Sequence, residues 1–180
     1  MASTVWNGSV DTDWNTAANW TPSGVPLASA HIQISTTNDC ALDQSRSCAS
    51  LTIDAGATLI GGGYKLTITS EGDAASGTEG FAVNNDGIIS GNLDLEINTT
   101  TATDIDLAGT SGNFQNLKLN DASCDVTMKA DCILDGTLII AAGQLSTGTG
   151  GYGFSNLTVA GDCSIAAGAT LEGNASSGAT

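Results

Sequence analysis

The phrase Ile-x-Ala-Gly-x-x-Leu stands at residues 53–59 as IDAGATL and returns at residues 165–171 as IAAGATL, with a shorter form, IAAGQL, at residues 140–145. Repetition of short strand-and-turn phrases marks units that cannot bury an apolar face alone and must stack on their own copies. From residue 31 onward the chain breaks into short alternating runs: HIQI (31–34), SLTI (50–53), ATLI (57–60), KLTI (65–68), GFAV (80–83), NLDLEI (92–97), DIDL (104–107), NLKL (116–119), DVTM (125–128), TLII (137–140), NLTV (156–159), CSI (163–165) and ATL (169–171). Apolar residues two apart put one face of each run in a core and Thr, Asp, Lys or Glu on the other. No window of helical length shows a 3.6-residue period, so helix content is expected near nil.

The expected fold is all-β, a single-chain right-handed β-solenoid of irregular short coils. The alternative, a β-sandwich or jelly roll, would want longer strands and aromatic core anchors. Leading leucines at 51, 66, 93, 117, 138 and 157 recur irregularly, and the stretch 71–115, with EGDAASGTEG and TTTATD, is expected to hold longer loops. Residues 1–30 read as an N-terminal cap and residues 31–180 as solenoid repeats, able to continue past residue 180 in a longer rod. One hundred and eighty residues suffice for one cored domain.

Charge narrows the partners. Nineteen acidic residues face four basic ones (Arg46, Lys65, Lys118, Lys129), a net −15 that repels phosphate backbones and anionic membranes. Neither nucleic acid nor a membrane is expected as a partner. No apolar stretch approaches the ~20 residues of a membrane span, and MASTVWNGSV has neither the basic nor the apolar region of a signal peptide.

The first 30 residues hold all three tryptophans and both prolines: Trp6, Trp14, Trp20, Pro22 and Pro26. An aromatic segment folded over an open solenoid end would cover its apolar rungs and backbone donors. Because Trp is enriched at binding hot spots, this segment is also expected to touch a partner. The pattern W-N-G-x-x-D-x-D-W-N-x-x-x-N-W-x-x-x-x-V-P, followed by an I-x-I strand, resembles the N-terminal motif of large bacterial cell-surface and autotransporter-like β-repeat proteins and of some phage structural proteins. The resemblance covers residues 6–34 and implies a β-repeat protein of a particle or cell surface.

Five cysteines (Cys40, Cys48, Cys124, Cys132, Cys163) lack CxxC spacing or a histidine partner beyond His31. They are expected as small apolar residues within stacked ladders; in an oxidising setting Cys40–Cys48 and Cys124–Cys132 would be the pairs to test. GTGGYG at 148–153 satisfies GxGxxG but leads into a strand, so it reads as a Gly-rich loop rather than a dinucleotide site. The DxD pairs Asp11/Asp13 and Asp104/Asp106 are weak Ca²⁺ candidates, carboxylates sharing a face; in principle they could serve as the two carboxylates of a glycosidase or lyase, but Asp104 and Asp106, set in a run of Thr and Ala, read as a solvated face. His31 reads as a strand residue at the cap junction.

The function expected from these features is non-enzymatic. The chain would be a structural protein of a virion (head decoration, head fibre or tail fibre) or a similar extracellular assembly, lying at the virion surface or outside the cell. It would need no cofactor and would partner other proteins of its particle as a homo-oligomer, a trimer if it is a fibre. The alternatives are a secreted bacterial surface adhesin or filament fragment, and a carbohydrate-active β-helix with a groove of carboxylates and bases.

Overall fold

In the computed structural model of the chain, residues 3–72, 80–107, 114–148 and 156–173 are described. β1 (Thr4–Trp6), a 3-10 turn (Ala17–Asn19) and β2 (Trp20–Thr21) precede a first coil of β3 (His31–Ile34), β4 (Cys40–Ala41) and β5 (Arg46–Cys48). The second coil is β6 (Ser50–Ile53), β7 (Thr58–Ile60) and β8 (Lys65–Ile68), and the third β9 (Phe81–Asn85), β10 (Ile88–Ser90) and β11 (Leu93–Ile97). β12 (Ala102–Asp106) and β13 (Phe114–Leu119) follow, then β14 (Asp125–Met128), β15 (Cys132–Leu134) and β16 (Leu138–Ile140). The last strands are β17 (Gln144–Ser146), β18 (Leu157–Val159), β19 (Cys163–Ile165) and β20 (Thr170–Glu172). GTGGYG beyond its first residue, EGNASSGAT beyond its second residue and most of EGDAASGTEG lie outside the described residues.

Each coil contributes its strands to separate parallel stacks. The first sheet runs β2-β1-β3-β6-β9-β12-β14-β17-β20, the second β4-β7-β10, and the third runs from β5 through β8, β11 and β13 to β15 and β16, then β18 and β19. Among the described residues every strand pairing is parallel except β1 with β2. The fold is therefore a β-solenoid of about five turns, and not a sandwich.

Register shows why the sequence period is ragged. Ile32 stands beside Leu51, Leu51 beside Val83, Val83 beside Ile105 and Ile105 beside Met128, separations of 19, 32, 22 and 23 positions. The rungs stay aligned while the corners absorb the length differences, since a corner need not match its neighbour as a paired strand must. Inside, one apolar ladder in the third sheet is Cys48, Ile68, Ile97, Leu119, Ile140 and Ile165, and beside it run Leu66, Leu95, Leu117 and Leu138. These ladders are the core, and all but the last rung are buried.

The repeated phrase takes an unexpected place. Ile140 pairs with Ile165 and Leu145 with Leu171, so IAAGQL and IAAGATL are stacked at the corner from the third sheet to the first. IDAGATL instead joins Ile53 of the first sheet to Leu59 of the second. All three copies place glycine in the left-handed region, with φ of 84° at Gly56, 81° at Gly143 and 86° at Gly168. The phrase encodes a strand–corner–strand turn, and the coil uses it at two different corners.

Candidate functional site

The N-terminal segment explains its own motif letter by letter. Trp6, in β1, is a register partner of Ile34 and donates its indole N–H to the Asn38 carbonyl at 3.0 Å. Trp20 packs edge-on against both Trp6 and Trp14, with centroids 4.9 and 4.7 Å apart, and donates its indole N–H to the Trp14 carbonyl at 2.8 Å. Gly8 has φ of 53°, and a side chain there would run into Asn38. Buried Asn19 accepts from the backbone N–H groups of Val10 and Asp11 and donates to the Asp11 carboxylate at 2.6 Å.

This segment touches every sheet. β1 pairs with β3 of the first sheet, the Trp14 N–H donates to the Ala41 carbonyl of β4 in the second and the Ala41 N–H donates back to the Thr12 carbonyl, and Asn15 accepts from Arg46 at the start of the third. Arg46 also makes a bidentate pair with Asp43. Pro22, exposed, follows the two-residue strand β2 at the outer edge of the first sheet. Proline donates no N–H, and so short an edge offers little to pair with. The segment is a cap, and it is continuous with the first sheet.

Two expectations change here. The tryptophan rings are at most 1% exposed, so they serve the interior of the cap and offer no surface to a partner. The Asp11/Asp13 pair is turn chemistry. Asp11 accepts from the Asp13 N–H, from Asn19 and from Thr16, bonds that hold its carboxyl below the usual range with the Asp13 N–H the largest cause. Asp13 accepts in turn from the Asn15 N–H.

Asp104 and Asp106 lie on the outward face of β12, where Asp104 pairs with Lys129 at 3.0 Å. Their run of Thr and Ala is not a groove of carboxylates and bases. Among the described residues no group of three His, Cys, Asp or Glu is placed to hold a metal ion. His31 is a β3 residue whose Nδ1 meets the Ser50 hydroxyl at 2.8 Å.

All five cysteines are free thiols. They do not stack on one another: Cys40 pairs in register with Leu59, Cys48 with Ile68, Cys132 with Leu157 and Cys163 with Leu138. Each of these four is a single rung in an aliphatic ladder, while Cys124 lies outside the strands with its sulfur 3.5 Å from the Thr99 hydroxyl. Burial pushes the Cys48 and Cys132 thiols up to about 12 and Cys40 further in the same direction, since a thiolate loses its hydration there. These sulfurs are poor nucleophiles.

The groove of carboxylates and bases lies on the outer face of the third sheet. There Lys65 of β8 lies beside Asp94 of β11, which lies beside Asn116 of β13; in the parallel row Glu96, Lys118 and Ile139 are register partners. Lys65 reaches Glu96 at 3.0 Å and Lys118 reaches it at 3.8 Å, while Asn120 donates to its other oxygen at 3.3 Å. Asn116 donates to Asp94 at 2.7 Å and accepts the Thr137 N–H at 2.8 Å. With the exception of Asn120, these groups line a shallow cleft of about 340 Å³. Sequence reasoning missed it, although the signal was present: aligning Leu66, Leu95 and Leu117 places Lys65, Asp94 and Asn116 in one outward row and Thr67, Glu96 and Lys118 in the next.

No curated protein and no solved structure matches this chain. A family profile described as a domain of unknown function, DUF8693, matches residues 5–127. The matched stretch runs from the cap through β13 into β14 and includes the two lysines, both carboxylates and the asparagine, Asn116, of the cleft. More than half of the chain being matched, this protein belongs to the DUF8693 family.

Proposed function

We propose that the chain is a non-enzymatic structural element of an extracellular assembly, with a virion (head decoration, head fibre or tail fibre) as the first candidate. The observation that carries this reading is the capped stack itself. A rod of paired parallel strands, closed at one end by a segment that engages all three sheets, holds its two ends at a fixed separation, which suits spacing and attachment. Its side-chain chemistry is spent on the fold in the same way. Asp11 is absorbed by the cap, Asp104 by Lys129, and the Cys40, Cys48 and Cys132 sulfurs by the ladders. With the tryptophans internal, attachment to a partner would use the outer surface of the cap, where Pro22 and Leu27 are exposed.

The test is location. An antibody against the purified chain should label intact particles sedimented from cultures of the source, and removal of residues 3–26 should abolish that labelling. A chain found wholly outside every particle and cell-surface fraction would defeat the proposal.

A second reading, a carbohydrate-active β-helix, is favoured by one observation, the mixed cleft of the third sheet. Release of reducing ends from a polysaccharide, lost on Glu96→Gln, would establish it.

A further inference from the structure

The cleft on the third sheet has properties that the rod role does not use. Strands β8, β11, β13 and β16 present it side by side, each paired on both flanks. At roughly 4.8 Å per strand, four strands span about 14 Å along the solenoid axis. The outward side chains are fixed by that ladder before any ligand arrives, which lowers the ordering cost of binding. Its volume falls within the usual range of ligand sites.

Local charge separates this face from the rest of the molecule. Two of the chain's four basic residues, Lys65 and Lys118, stand here against two carboxylates, Asp94 and Glu96, so the cleft is balanced on a protein of net charge −15. A polyanion is repelled by the whole, and a polycation finds acidic surface everywhere without needing this place. What the cleft offers is a mainly apolar exposed lining with a few donors and acceptors set within it. An ammonium has three donors and a carboxylate about four acceptor sites, so the ion pairs at Glu96 leave capacity on both partners. Asn116 adds an amide, and half-buried Ile139 with the lysine stems adds apolar surface at the same spot. An extended peptide would want a free strand edge, and these strands have none.

We propose that this face binds a neutral polysaccharide chain lying along the rod axis across β8, β11, β13 and β16. Sugar hydroxyls meet Lys65, Asp94, Glu96, Asn116 and Lys118, and the C–H faces of the rings lie on Ile139 and the lysine stems. The site stands independently of the particle role: a chain absent from every particle would keep it, and a particle protein could lack it.

The experiment titrates the full chain with cellohexaose, xylohexaose, mannohexaose and the polyanion hexagalacturonic acid, by calorimetry and by amide NMR shifts. At least one neutral probe should saturate at millimolar concentration or below and shift the amides of residues 65, 94–96, 116–118 and 139. Lys118→Ala and Ile139→Glu should each weaken it by about tenfold or more. Lys129→Ala, which removes the same charge beside Asp104, should leave affinity unchanged. If Ile139→Glu lowers the unfolding midpoint, Lys118→Ala alone decides. Failure of all three neutral probes to saturate, binding of the uronate alone, or equal weakening by Lys129→Ala and Lys118→Ala would each overturn the proposal.

Discussion

IDAGATL and IAAGATL differ by one letter, yet the molecule treats them oppositely. In the first copy Ile53, Ala57 and Leu59 are buried, with coils on either side of them. In the second, Ile165 is 46% exposed and Leu171 half-buried, although Ile140, one rung earlier in the same ladder, is fully covered. The difference is neighbours. In a solenoid a rung is buried when another lies on each side of it, so the same letters yield core in one coil and surface in the last described one. At the other end the rung is covered by Trp6 and its companions.

The contrast can be tested by substitution. Trp14→Ala should have the largest effect, removing a fully buried ring on which Trp20 leans and costing about 3–5 kcal/mol. Urea unfolding with equal slopes would measure it; a loss under ~1 kcal/mol would show that the cap does not close the rod. Ile53→Ala should cost about 2–5 kcal/mol and Ile165→Ala under ~1 kcal/mol, from burial alone. Equal costs would mean that something covers the last rung in solution.

Among the three glycines of the phrase, Gly143→Ala should cost more than Gly168→Ala or Gly56→Ala. All three share the positive-φ strain of ~1–2 kcal/mol, but a Cβ at Gly143 would lie 2.3 Å from the Cys124 carbonyl oxygen, whereas nothing lies within 4 Å at the other two. Thermal unfolding of the three variants ranks them directly.

Acid should act on both ends in the same sense. Asp11 is held below its ordinary value of 3.8 chiefly by the Asp13 N–H, and Asp131 likewise by the N–H and side chain of Asn156. A depressed folded value stabilises the native state above the ordinary value, and that stabilisation is lost as pH falls through the folded one. Tryptophan emission, which reports the cap, should therefore stay native above about pH 4 and loosen below it, earlier in Asp11→Ala. The smallest effect is chemical: a thiol reagent at mildly alkaline pH should modify Cys163 at once and the four buried cysteines only after unfolding. Rapid loss of two or more thiols would mean that the last coils open together.

Much of the fold could be read from strand alternation. HIQI, SLTI, KLTI, DVTM and CSI are strands with the bounds that the alternation predicts. The missed strands share a cause. Thr4–Trp6, Trp20–Thr21, Cys40–Ala41, Arg46–Cys48, Ile88–Ser90, Cys132–Leu134 and Gln144–Ser146 have two or three residues each, too few to show a period. Their neighbours across the stack make them strands. The cap was legible as a Trp-rich segment. Its use of the rings was not, because enrichment at hot spots and enrichment in a core look alike in composition. The cleft went unread because its members lie about 20 to 30 positions apart and meet only through register.

By itself the sequence determined that short apolar-alternating units must stack, because none can bury its own face, and that Gly must stand where the chain turns through positive φ. Tertiary structure alone decided which corner each copy of the phrase occupies, which rungs are covered, and that Lys65, Asp94, Glu96, Asn116 and Lys118 share a face. The physical reason is that strand alternation is a local property of two successive residues, whereas coil register depends on how much chain each corner absorbs. That length, 19 positions between Ile32 and Leu51 and 32 between Leu51 and Val83, follows no period.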